Sequence, residues 1–212
     1  MRLDHVSYVA SHEQISDVVN RIGSQIGTAF VDGGMHPKFG TRNFTAPLLN
    51  GQYIEVVCPM DHPATDSTPF GRAVKKKAEE GGGWMTWVLA TDNISKVEEN
   101  LGRKAVDGQR KKPDGSILVW RQIGVLDILD DPQQPFYIQW INGEHPSGDG
   151  TPNAKLLDII INGELNTSLD LSSIININSN SDSEIKFLND KTQKFGIEMV
   201  RFNLNNTIVT IY

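Results

Sequence analysis

Apolar and polar residues alternate from the first residues of the chain. Leu3, His5, Ser7 and Val9 fall on one face, Asp4, Val6 and Tyr8 on the other, which predicts a strand. Ser11 follows as an N-cap with Gln14 three residues on, and Ile15, Val18, Val19 and Ile22 recur at helical spacing up to Gly23. A short strand at Ala29–Val31 leads into a polar, glycine-punctuated loop from Asp32 to Asn43. Two apolar runs then flank Asn50-Gly51, Thr41 to Leu48 and Tyr53 to Cys58. That is a hairpin signal, because both turn positions tolerate positive φ. In the second run Tyr53, Glu55 and Val57 share one face, so a carboxylate stands in mid-strand among apolar neighbours.

After a connector (64–83) with a short helix from Ala73 to Glu80 and three glycines, the pattern restarts. Trp84–Ala90 reads as a strand and Asn93–Leu101 as a helix capped by Asp92. Lys104–Lys112 is partly extended, and Ile117–Val125 and Phe136–Ile141 close the unit. Both units therefore read β-α-β-β-β, with Tyr53-Ile54-Glu55-Val56-Val57 answering Tyr137-Ile138-Gln139-Trp140-Ile141. On this alignment His5 falls near Trp84 or Thr86. The turn-rich stretch His145–Pro152 marks a boundary. Beyond it, Lys155–Ile161 reads as a strand, Ser183–Phe195 as a helix, and Glu198–Leu204 with Thr207–Tyr212 as a hairpin across Asn205-Asn206. The Asn- and Ser-rich stretch from Asn166 to Ser183 is expected to include a mobile loop. The expected class is α+β. Two tandem modules (1–63 and 84–145) form a cupped, barrel-like sheet, and a shortened β-α-β-β unit follows (151–212).

Composition narrows the function. The chain has 212 residues, 38% hydrophobic and 22% charged, with a net charge of −6. That balance argues against nucleic acid, whose phosphates demand basic contacts. No apolar run reaches the length of a membrane span and no signal-peptide region opens the chain. The single cysteine, Cys58, excludes an internal disulfide, suits a reducing cytoplasm, and reads as a small buried hydrophobe. The expected partner is a small molecule, with a homodimer as a compatible assembly.

The segments Leu3-Asp4-His5-Val6-Ser7-Tyr8-Val9-Ala10, Gly33-Gly34-Met35-His36-Pro37-Lys38-Phe39-Gly40-Thr41-Arg42-Asn43, Tyr53-Ile54-Glu55-Val56-Val57-Cys58-Pro59 and Phe70-Gly71-Arg72-Ala73-Val74 resemble glyoxalase-like domains. Those domains belong to the vicinal oxygen chelate superfamily. The resemblance covers about residues 3 to 145 and implies paired modules around a cup, with metal ligands on the first and fourth strands. Carried over, His5 and Glu55 match the first module's ligand positions for zinc, nickel, iron or manganese, with Glu55 also the catalytic candidate. The second module offers only Thr86 or Trp84 and the neutral Gln139. His5 and Glu55 fit equally a hydrogen-bonded pair that needs no metal. His36, Arg42, Asn43, Trp84, Thr86, Arg121 and Gln139 complete the substrate-binding candidates. For Arg42 an oxyanion contact and an ion pair with Asp32 both stand. Two classes of function stay open: a metal-assisted lyase, isomerase or dioxygenase, and a metal-free binding or sequestering protein.

Overall fold

The computed structural model describes residues 1–165 and 183–212. The first module runs β1 (Arg2–Val9), α1 (Ile15–Ile26), β2 (Val31–His36), β3 (Thr41–Pro47) and β4 (Tyr53–Pro59). Helices α2 (Pro63–Ser67) and α3 (Pro69–Glu79) lead to the second module: β5 (Gly83–Ala90), α4 (Ile94–Leu101), β6 (Val106–Lys111), β7 (Ile117–Ile123), α5 (Asp127–Asp130) and β8 (Phe136–Asn142). Their strands close into one barrel in the order β1-β4-β3-β2-β6-β7-β8-β5. Each half repeats the other: β1 lies parallel to β4 as β5 does to β8, and β1 and β5 join the halves antiparallel. The opposite seam is slight, with Met35 opposite Lys111 as the register between β2 and β6. A separate sheet, β10-β9-β11-β12, is built from β9 (Ala154–Asn162), β10 (Glu184–Leu188), β11 (Gly196–Leu204) and β12 (Thr207–Ile211).

Strand alternation sorts two cores. Outward side chains of the barrel (Val6, Tyr8, Ile54, Val56, Trp87, Leu89) pack with α1 and with Leu156, Ile159, Val200 and Phe202 of the second sheet. Inward ones (Val9, Val57, Val88, Trp120, Phe136, Ile138) form a smaller cluster with Phe39 and Phe70. The second sheet therefore backs the barrel wall and leaves the interior to the cup.

Several local expectations change. Helix α1 continues through Gly23 to Ile26, because Gly27 at φ 66 is the residue that takes the left-handed C-cap. The segment Asp32–His36 is strand rather than loop, with a register shift between Asp32 and Gly34. The connector holds two helices: His62 caps α2 and Thr68 caps α3, each followed by proline at the first helical position. Ser183–Phe195, expected as a helix, is strand β10 and the turn after it. Ile185 packs into the barrel-backing core while Glu184 and Lys186 pair on the other face, a period of two. Of the stretch expected to include a mobile loop, 166–183, residues 166–182 lie outside the described residues.

Candidate functional site

Inside the barrel, β1 and β4 bring Ser7 opposite Glu55, and β3 brings Thr45 opposite Glu55 with Asn43 one inward position away. Both oxygens of Glu55 are engaged: Ser7 Oγ donates to Oε2 at 2.7 Å and Asn43 Nδ2 to Oε1 at 2.8 Å. Burial pushes this carboxyl up, but the imidazoles of His5 and His36 and the two hydrogen bonds outweigh it and hold it below its ordinary value. Glu55 is thus an ionised base in a buried enclosure that mixes polar side chains with aromatic rings.

His5 stacks on Tyr53, ring centroids 4.3 Å apart, and its Nδ1 meets Asp4 Oδ2 at 3.0 Å. Asp4 gets there because the register of β1 against β5 shifts between Leu3 and His5, which turns the extra residue's carboxylate to the cup side. The same carboxylate receives Trp140 Nε1 at 3.3 Å and faces His145 Nε2 at 3.1 Å. Burial would raise its pKa; hydrogen bonds from His145 and His5 and the charges of His5 and Arg2 hold it well below the carboxylate range. Across the cup His36 Nδ1 lies 3.0 Å from Thr41 Oγ1, and the ring sits edge-on to Trp120. Burial, with Arg110 nearby, lowers its pKa to about 4 against the pull of Glu55, so the ring is neutral at ordinary pH.

The second module supplies no mirror image of these donors. Its cavity-lining residues are Trp120, Gln122, Phe136, Ile138 and Trp140, together with Arg110 of β6. Arg110 is 2% exposed and reaches across the open seam: Nη1 donates to Asn43 Oδ1 at 3.3 Å and Nη2 to Asp149 Oδ2 at 3.1 Å. These groups, with Phe39, Phe70 and Pro146 as a roof, enclose about 30 Å³. That is far below the few hundred Å³ or more of a typical small-molecule pocket. A wider open groove of about 950 Å³ runs outside the barrel between α3 and the β10–β11 turn, lined by Lys76, Lys77, Lys194 and Phe195. None of the cup's polar groups reaches it.

The structure gathers His5, His36, Asn43 and Glu55 in the cup. Thr86 faces inward opposite Ser7, buried, its hydroxyl bonded to the Trp87 carbonyl at 3.2 Å, and does not line the cavity. Four candidates lie elsewhere. Arg42 is on the outer face, ion-paired with Asp32 and over the Phe44 ring. Arg121 pairs with Glu98 of α4 at 2.7 Å. Trp84 packs against Phe202 and donates to the Ile211 carbonyl at 2.9 Å. Gln139 faces outward, bonding Ile94 N and the Asp92 carbonyl at the start of α4. Its expected match with Glu55 fails by one residue: Tyr53 faces the cup whereas Tyr137 belongs to the outer core, and a slip of one flips every side chain. Arg110 and Asp149 were not singled out as site residues by sequence. Arg110 sits in a basic run, Arg110-Lys111-Lys112, that reads as solvated. The available signal was Gly108, two residues before it on the same face, where a Cβ would lie 2.3 Å from the Trp120 ring.

A divalent ion on His5 and Glu55, as the resemblance implies, would need further donors beside them. Among the described residues no group of three or more His, Cys, Asp or Glu side chains is placed to hold one. Each oxygen of Glu55 already accepts one hydrogen bond, and the far wall offers a cation, a neutral amide and aromatic rings where further ligands would have to stand. The residues present do not fit a closed metal site.

Two β-α-β-β-β modules closed into one barrel around a polar cup define the vicinal oxygen chelate fold. Within it, this chain belongs to the glyoxalase-like domain family, whose model matches residues 3–183. No curated protein matches it. Among solved structures, a hypothetical protein from Staphylococcus aureus is 17% identical over 99% of this chain and 84% of that one, with a TM-score of 0.56. Methylmalonyl-CoA epimerase from Mycobacterium tuberculosis is 12% identical over 67% of this chain and 88% of its own, with a TM-score of 0.44. At 17% identity the likeness to the first of these is one of fold.

Proposed function

We propose that this protein binds a small, planar, oxygenated molecule in the cup and does so through its own side chains, without a metal. The observation that carries this reading is the occupied state of Glu55. With both oxygens fixed by Ser7 and Asn43, the carboxylate is a preorganised hydrogen-bond acceptor or proton acceptor rather than an open ligand. Trp120, Trp140 and Phe136 supply flat apolar walls, and Arg110 supplies the pole opposite the carboxylate. Such a cup can hold and orient a substrate for proton transfer, or sequester a ligand.

A second reading is a metal-assisted lyase, isomerase or dioxygenase with His5 and Glu55 on the ion. It has one observation in its favour: Asp4 bonded to His5 Nδ1 is the support that a metal-ligating imidazole usually has. The two readings separate in one experiment. Zinc, nickel, manganese and iron(II) are titrated into wild type and Glu55→Gln while the melting temperature is followed. The metal-free reading expects wild type to ignore every ion. It also expects Glu55→Gln, nearly isosteric and with a Ser7 hydroxyl that can rotate to accept, to change ligand selectivity more than stability. An ion that stabilises wild type and loses its effect in Glu55→Gln would establish the metal reading, since ligands that bind only the folded state add to its stability.

A further inference from the structure

The segment after β8, residues 143–150, crosses the mouth of the cup as a strap. It is bounded by Gly143 at φ 87 and Gly150 at φ 121, backbone conformations that favour glycine. One end is fastened by His145, which meets Asp4 at 3.1 Å and Ser147 Oγ at 2.8 Å, and Pro146 roofs the cavity. At the other end Asp149 enters the seam between the modules. Its Oδ2 accepts from Arg110 Nη2 at 3.1 Å and from Thr45 Oγ1 at 3.2 Å, and its Oδ1 from Lys112 Nζ at 2.7 Å. Asp149 and Lys112 are nearly buried and Arg110 fully so.

Three features make this more than a structural ion pair. Two buried cations face one carboxylate, so the site holds one positive charge in excess. Arg110 Nε is buried with no hydrogen-bond partner among the described residues, although Arg110 lines the cup. Buried donors are almost always paired, and an orphan on a cavity wall marks where an acceptor belongs. Finally, the residue holding the site shut is carried by the strap, while the groups that bind it belong to the barrel: Thr45 on β3, Arg110 on β6 and Lys112 one residue beyond the end of β6. A cup of about 30 Å³ admits no metabolite until the strap lifts, and lifting it withdraws Asp149.

We infer that Arg110, Lys112 and Thr45 form a carboxylate-binding site, filled by Asp149 in the closed protein and taken over by the carboxylate of the ligand. The inference rests on the small-molecule reading of the cup and names its ligand class, a planar monocarboxylate. A guanidinium fork and an ammonium suit a carboxylate, and the exchange conserves charge, so opening the strap leaves no bare cation. Arg110 also connects the site to the catalytic candidate. Through Asn43, which accepts from Arg110 and donates to Glu55, an anion at one end orients the base at the other.

Two measurements test it. In Asp149→Ala the vacated site is open to small anions, so sodium acetate should raise the melting temperature of this variant and leave wild type unmoved. Sodium chloride at equal ionic strength should move neither. Acetate acting no better than chloride, or acting equally on wild type, overturns the carboxylate site. Benzoate and benzamide binding are then measured by titration calorimetry. Asp149→Asn should bind benzoate roughly tenfold tighter than wild type, because an internal competitor that masks the competent state is gone. Arg110→Gln should lose benzoate binding. Benzamide binding without benzoate binding would keep the cup reading and defeat the carboxylate. Acetate rescue without binding of either aromatic would keep the anion site and defeat the cup.

Discussion

His36 shows how a single buried ring shapes the behaviour of the protein. Held neutral in the fold with a pKa of about 4, against an ordinary 6.5, it takes up a proton more readily in the unfolded chain. Between those values the unfolded state binds more protons, so stability is whole above pH 6.5 and declines as pH falls toward 4. The full loss is on the order of 3 kcal/mol, from about 1.4 kcal/mol per pH unit over the shift. Asp4 and Glu55, whose pKa values are lowered, contribute loss only beneath their ordinary 3.8 and 4.5. The interval from 4.5 to 6.5 therefore isolates His36 from them. His36→Gln, which keeps a partner for Thr41, should flatten the urea midpoint across that interval. An equal slope in both proteins would assign the acid sensitivity elsewhere.

Among the elements, β2 has the narrowest tolerance. At Gly33 a Cβ would lie 2.2 Å from Asn43 Oδ1 and 2.4 Å from Arg110 Nη1, so the strand must be bare where the guanidinium crosses the seam. Gly33→Ala should cost about 1–3 kcal/mol, the usual scale of overpacking, and should weaken ligand binding by parting Arg110 from Asn43. An alanine variant with unchanged affinity would show that the Arg110–Asn43 contact is not used. The same element shows why the site was only half legible. His5 and Glu55 came from the family resemblance, on strands whose alternation sequence displays, and Asn43 from its place beside the glycine-bounded loop. Arg110 and Asp149 come from a seam between elements 39 residues apart, which it does not. The β-α-β-β-β repeat was legible because each unit carries its own strands and helix signals. The matched Tyr-Ile pairs of β4 and β8 misled, because two strands can share a hydrophobic run and present opposite faces. Helix capping by Thr68-Pro69 was in the sequence and unread. The period-two pattern of β10 was obscured by the Asn-rich stretch before it.

At the scale of the whole molecule, the cup depends on a wall it does not share. The outer faces of β1, β4 and β5 would be a large apolar surface if the second sheet were removed, since Tyr8, Ile54, Trp84 and Trp87 lie on them. Strands β9 to β12 cover that surface. Trp84 donates to the Ile211 carbonyl at 2.9 Å and packs on Phe202, Trp87 meets Phe187, and Asn153 Nδ2 donates to the Gly27 carbonyl at 2.6 Å. One continuous core thus spans both sheets and α1, so the C-terminal sheet and the barrel should unfold together. Phe202 is fully buried at the centre of that contact. Phe202→Ala should cost about 3–5 kcal/mol, as removal of a buried aromatic ring does, and should lower a single transition rather than create a second. Far-ultraviolet dichroism reports both sheets; with Trp84 and Trp87, which face the second sheet, replaced by Phe in both proteins, the remaining fluorescence of Trp120 and Trp140 reports the cup on the far side of the barrel wall. The two signals should shift in step. If the dichroic signal of the variant falls first while cup fluorescence keeps its wild-type midpoint, the second sheet is an independent unit and the barrel stands without it.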